Sequence, residues 1–110
     1  MEYEITKDGS YTVIQLKGDV DLFNSPHSRQ VILTCVEGKN NVLVDLAGVD
    51  YIDSSGVASL VEGYQIAKRN QTGFALVKVS DAALYVLQLA NLDKVFPIYS
   101  SLEDAMKSGV

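Results

Sequence analysis

Residues 42–57 read Val-Leu-Val-Asp-Leu-Ala-Gly-Val-Asp-Tyr-Ile-Asp-Ser-Ser-Gly-Val. The first five form a short, nearly continuous apolar run, the pattern of a central strand covered on both faces. Residues 47–52 then read as a link, and a helix is predicted to start near Asp53-Ser54-Ser55-Gly56. Val57, Leu60, Val61 and Tyr64 recur at i, i+3, i+4 and i+7, which makes one buried stripe. Lys68 and Arg69 close that helix where cations complement its dipole. A buried strand running into an amphipathic helix is half of a β-α-β unit.

The pattern continues on both sides. Towards the N-terminus, Ser25-Pro26 opens a helix, with Ser25 at the N-cap and Pro26 at its first position. Ile32, Cys35 and Val36 face inward, and Gly38 stops the helix. Before it, residues 11–17 alternate as a strand, with Thr12, Ile14 and Leu16 on one face and Gly18-Asp19 as its end. Asp8-Gly9 is a hairpin signal that joins it to a half-exposed edge strand over residues 2–8. Towards the C-terminus, Gly73 precedes a strand over residues 74–79, and Ser80 or Asp81 caps a third helix. Its inner stripe is Ala83, Val86, Leu87 and Ala90, which leaves Leu84, Tyr85 and Leu89 either covering an edge or forming a docking patch. Residues 95–99 suit a last short strand. Ser100 and Glu103 fit a capping box that opens a terminal helix. The order β-β-α-β-α-β-α-β-α predicts an α/β fold: a mixed, mostly parallel sheet of four to five strands with about four helices. With no repeat or linker, residues 1–110 read as a single domain.

Composition narrows the function. Of 110 residues, 47% are hydrophobic and 21% charged, and the net charge is -5. Such an acidic chain has no basic stripe with which to neutralise nucleic-acid phosphates. The acidic start, Met1-Glu2-Tyr3-Glu4, is no secretory signal, and no apolar run is long enough to span a bilayer. A cytoplasmic protein without direct membrane insertion is expected. Cys35 has no disulfide partner and sits in an apolar helical pattern, so it reads as core. His27, the single histidine, falls in a polar helix start and reads as solvated. One His and one Cys do not suggest a metal site. Gly56-Val57-Ala58-Ser59 lacks the spacing of a nucleophile elbow, and no phosphate-binding glycine loop exists. No base, nucleophile and orienter assemble. Neither a catalytic residue nor a cofactor is expected.

What remains is the pair of serines delivered to a helix N-terminus, where first-turn N–H groups lack partners and the dipole is positive. A phosphate on Ser54 would suit that position, with the Asp53 carboxylate opposing it. A plain N-cap role for Asp53, Ser54 or Ser55 accounts for the same residues.

Asp53-Ser54-Ser55-Gly56, after an apolar strand and Tyr51-Ile52, resembles the signature of the STAS domain family, which includes anti-sigma factor antagonists and cytosolic domains of sulfate transporters. Gly18-Asp19-Val20-Asp21 resembles the family's step after the second strand, and Leu92-Asp93-Lys94-Val95-Phe96 its segment before the last strand. The resemblance covers nearly the whole chain. It implies that Ser54 is the phosphorylation site, that Asp21 lies in the flanking loop, and that Asp21, Asp53, Ser54, Ser55, Gly56 and Ala58 meet a partner. Family members often carry a second glycine where this chain has Ala58, a better helix former. The implied function is a bacterial signalling phosphoprotein of transcription regulation. Unphosphorylated, it would bind an anti-sigma factor or serine kinase, with a phosphatase as a further partner. The alternative is a STAS subunit of an ABC-type transporter assembly, with Ser54 as a helix cap.

Overall fold

A computed structural model describes residues 1–110. Five strands pair in the order β1-β2-β3-β4-β5. β1 (Glu2–Asp8) is antiparallel to β2 (Tyr11–Val20), while β3 (Asn41–Ile52), β4 (Phe74–Val77) and β5 (Ile98–Tyr99) continue the sheet in parallel. The helices are α1 (Ser25–Glu37), α2 (Ser54–Asn70), α3 (Asp81–Leu89) and α4 (Leu102–Ser108). The mixed, mostly parallel α/β architecture is the one expected.

Both faces of the central strands are covered, which explains their unbroken apolar runs. Ile14, Leu16, Val42, Val44, Leu46, Phe74 and Leu76 pack against α1, α2 and α3 in the larger cluster. Val13, Leu43, Ala75 and Val77 point to the other face and meet Ala105 of α4. The face expected for Thr12, Ile14 and Leu16 is therefore only one of two buried faces. α1 and α2 cross closely at Gly63: a Cβ there would lie 2.6 Å from Ile32 Cγ2. No helix is long and apolar enough to cross a membrane.

Several boundaries differ from expectation. Residues 47–52 are not a link but the second half of β3. β2 likewise runs on through Gly18 and Asp19, and the two stay paired to Val20↔Ile52. The register shifts twice, between Gln15 and Lys17 and between Gly18 and Asp19. Each irregularity puts an extra residue into β3, which breaks the period-2 pattern that marks a strand in sequence. β4 stops at Val77 because Lys78 takes a positive φ of 52°. β5 is only two residues long. The α1 cap is Asn24 rather than Ser25, and it makes no side-chain cap bond. α4 is capped by Ser101, whose side chain accepts from the Asp104 N–H, so the capping pattern lies one residue later than the Ser100–Glu103 expectation. Ala90, expected inward, is exposed at the α3 C-cap.

Candidate functional site

The carboxyl ends of β2 and β3 lie side by side, and each feeds a helix. β3 ends at Ile52, Asp53 turns the chain, and Ser54 is already the first residue of α2. No strand-to-helix loop intervenes where one was expected. Ser54 is nevertheless exposed.

Asp53 organises this end of the molecule. Its backbone is extended (φ -108°, ψ -174°), and its side chain caps α2. Oδ1 accepts the Ser55 N–H at 3.0 Å, the Gly56 N–H at 3.1 Å and the Ser55 hydroxyl at 2.5 Å. Oδ2 accepts the Leu22 N–H across 3.0 Å, from the turn between β2 and α1. The Ser55 hydroxyl, then the Gly56, Leu22 and Ser55 amides, hold the Asp53 carboxyl below its ordinary range. These bonds separate two serines that look alike in sequence. The Ser55 hydroxyl is committed to Asp53 and the residue is half-buried, whereas the exposed Ser54 side chain makes no hydrogen bond.

Asp21 does the same for its own turn. Its Oδ1 accepts the Phe23 N–H at 3.1 Å, the Asn24 N–H at 3.1 Å and Asn24 Nδ2 at 3.0 Å. Asp21 and Asp53 are thus brought together through Leu22. Gly56, expected at a partner surface, is buried instead. A Cβ there would collide with the Val20 carbonyl oxygen and lie 2.8 Å from Ile52 Cγ1. It lets α2 sit directly on the strand ends and presents no surface of its own. Ala58 is exposed and lines a groove of about 380 Å³ between α1 and α2, with Ser25, Pro26, Arg29, Ser55, Ser59 and Glu62. Arg29 spans this groove to Glu62 in a bidentate pair at 2.7 and 2.6 Å.

Sequence reasoning passed over Leu22 and Phe23, which are 74% and 95% exposed beside Asp53. The available signal was an apolar pair outside any helical or strand period, directly after Asp21. Cys35 is buried, and burial pushes its thiol up. His27 is exposed and stacks edge-on to Tyr3.

The STAS domain family model matches residues 2–105. The anti-sigma-B factor antagonist of Staphylococcus epidermidis is 26% identical over 100 residues, 90% of this chain and 92% of that one. A Thermotoga maritima protein, provisionally assigned as an anti-sigma factor antagonist, is 31% identical over 71 residues, 64% of this chain and 63% of its own length. The solved structure of an anti-sigma-factor antagonist (STAS) domain protein from Planctomyces limnophilus superposes with a TM-score of 0.84 at 30% identity, over 96% of each chain.

Proposed function

The chain belongs to the STAS domain family, and from that premise we propose that it is an anti-sigma factor antagonist switched by phosphorylation of Ser54. In the unphosphorylated state it binds an anti-sigma factor that is also a serine kinase, and the sigma factor is released. It acts in the cytoplasm as a binding module and performs no catalysis of its own. A phosphatase returns it to the binding state.

One observation carries the choice of Ser54. Of the two serines at the α2 start, it alone is exposed with an uncommitted hydroxyl, while the Ser55 hydroxyl is held by Asp53. In the transfer, Ser54 Oγ bonds to the γ-phosphorus of ATP as the bridge to the β-phosphate breaks. ADP leaves, and the hydroxyl proton passes to a base of the kinase. The nucleotide and its Mg²⁺ belong to the partner. Asp21, Asp53, Ser55 and Ala58 frame the contact, while Gly56 acts only by seating α2.

Pull-down from the native cell identifies the partner. Incubation of that partner with this protein and ATP, followed by peptide mapping, reads the site. Phosphate on Ser54 together with loss of the complex is the expected result. Phosphate confined to Ser55, or absent, overturns the switch. Capture of a permease-associated ATPase with Ser54 unmodified favours the transporter-subunit role.

A further inference from the structure

Leu22 and Phe23 form the most exposed apolar pair on the molecule, at 74% and 95%. Isolated exposed apolar residues are ordinary, but this pair is held out by its backbone. The Leu22 N–H is fixed by Asp53 at 3.0 Å and the Phe23 N–H by Asp21 at 3.1 Å. The Asn24 and Ser25 N–H groups both return to the Asp21 carbonyl, at 3.0 and 2.7 Å. A turn pinned in this way loses little further freedom on binding, which is the condition under which an aromatic side chain contributes most to an interface.

Along the chain the charge flanking the pair is acidic, and the first cation after it, Arg29, is already paired with Glu62. Asp19, Asp21, Asp50 and Asp53 all stand at the carboxyl ends of β2 and β3, where Asp19 pairs with Tyr51. No lysine or arginine occurs between Gly18 and Ser28 or between Asn40 and Ala67. We infer that Leu22 and Phe23 are the apolar anchor of the partner interface, and that they enter an apolar socket rimmed by lysine or arginine on a partner protein. This rests on the proposed partner-binding role of the Ser54 end. It adds the anchoring residues and the chemistry of the surface that receives them. The basic rim faces the aspartates at the edge, whereas Ser54 faces the nucleotide phosphates of the kinase, so attraction at the edge and repulsion after phosphorylation coexist.

The test places p-benzoylphenylalanine at position 23, at position 58 in the groove, and at exposed position 65 as a control. Each protein is photolysed in a lysate of the native cell, and the adduct peptides are sequenced. Positions 23 and 58 are expected to capture the same protein, and position 65 is not. The peptide joined to position 23 should be apolar and flanked by lysine or arginine. Its yield should fall several-fold when salt is raised from about 50 mM to about 500 mM. The double change Leu22→Ser, Phe23→Ser should cut capture at position 58 about thirtyfold, the loss typical of a hot spot, with the circular-dichroism melt unchanged. Capture at 58 but not at 23, or capture at 58 that survives the double change, overturns the anchor and leaves the partner-binding role intact. A salt-indifferent adduct overturns the basic rim. No adduct at either position overturns both the anchor and the role beneath it.

Discussion

At the scale of single residues, Asp53 carries most of the local order. Four donors from two segments converge on its carboxylate. The sequence showed an acidic and hydroxyl-rich helix start, but it could not say which group caps the helix. Nor could it show that the capping carboxylate uses the Ser55 and Gly56 amides a phosphate would otherwise meet. Composition and spacing did not separate Ser54 from Ser55, which the family resemblance alone ranked: their difference lies in one hydroxyl hydrogen bond and in exposure. Asp53→Ala is expected to cost about 1–2 kcal/mol of stability through loss of the N-cap, and the melting temperature should drop by roughly 4–8 °C per kcal/mol. The pH dependence has a definite sign. The folded carboxyl lies below its ordinary value of 3.8, so its contribution is complete above that value and disappears as pH falls through the lower folded value. Thermal melts of wild type and Asp53→Ala should therefore differ at pH 7 and converge on acidification towards the folded pKa. A gap that stays constant as acidification unfolds both proteins would contradict this role for the ionised side chain.

Among the elements, type was far more legible than extent. Every strand and helix was anticipated, the central ones from apolar patterns of the right period, the edge strand from its hairpin turn signal and the terminal helix from its capping residues. The second half of β3 was hidden because its two irregularities against β2 interrupt that period, and Gly48 and Asp50 imitate a turn. The close seating of α2 was hidden as well. Its buried positions include Gly56 and Gly63, which no hydrophobicity pattern marks. Alanine at either position would raise helix propensity by up to about 1 kcal/mol, yet both changes should destabilise. At Gly63 the obstacle is the Ile32 side chain, which can yield, so the net cost should be about 1 kcal/mol. At Gly56 the obstacle is the Val20 backbone carbonyl. It cannot rotate away, and the cost should approach about 3 kcal/mol. Urea unfolding of the two variants checks the ranking, and a Gly63→Ala protein less stable than Gly56→Ala would reverse it. On α3, where the sequence left two roles open for the off-stripe residues, Tyr85 and Leu89 are exposed at 63% and 68%.

For the whole molecule, the sheet gathers the β2–α1 turn, the β3–α2 junction and the α1–α2 groove at one end, remote in sequence but adjacent in space. That convergence depends on β2 and β3 being parallel neighbours, which the alternating pattern implied. The exposed Leu22–Phe23 pair within it has no periodic signature, and its one mark in the sequence is an apolar pair directly after Asp21 that belongs to no element. The arrangement makes a joint prediction about stability and binding. A phosphate on Ser54 adds about -1.5 to -2 charges at pH 7 beside the Asp53 carboxylate. Two of the nearest amides are already taken, so little of the helix-dipole benefit, typically about 0.3–1 kcal/mol, is left to gain. Solvent screens the repulsion between exposed groups. Stability should move by less than about 1 kcal/mol in either direction. Within an interface the same group must shed water against a partner, and an unpaired buried charge is costly. A loss of about 2.8 kcal/mol already weakens binding a hundredfold. Ser54→Ala should bind normally and resist the kinase, while Ser54→Asp should bind weakly and melt near wild type. The phosphorylated protein should show the larger binding loss, since a carboxylate carries less charge than a phosphate. Calorimetry with the isolated partner and melting by circular dichroism read the two effects separately. Tight binding by phosphorylated Ser54 protein would remove the switch, and a melt lowered by tens of degrees would mean that phosphate acts by unfolding rather than at the interface.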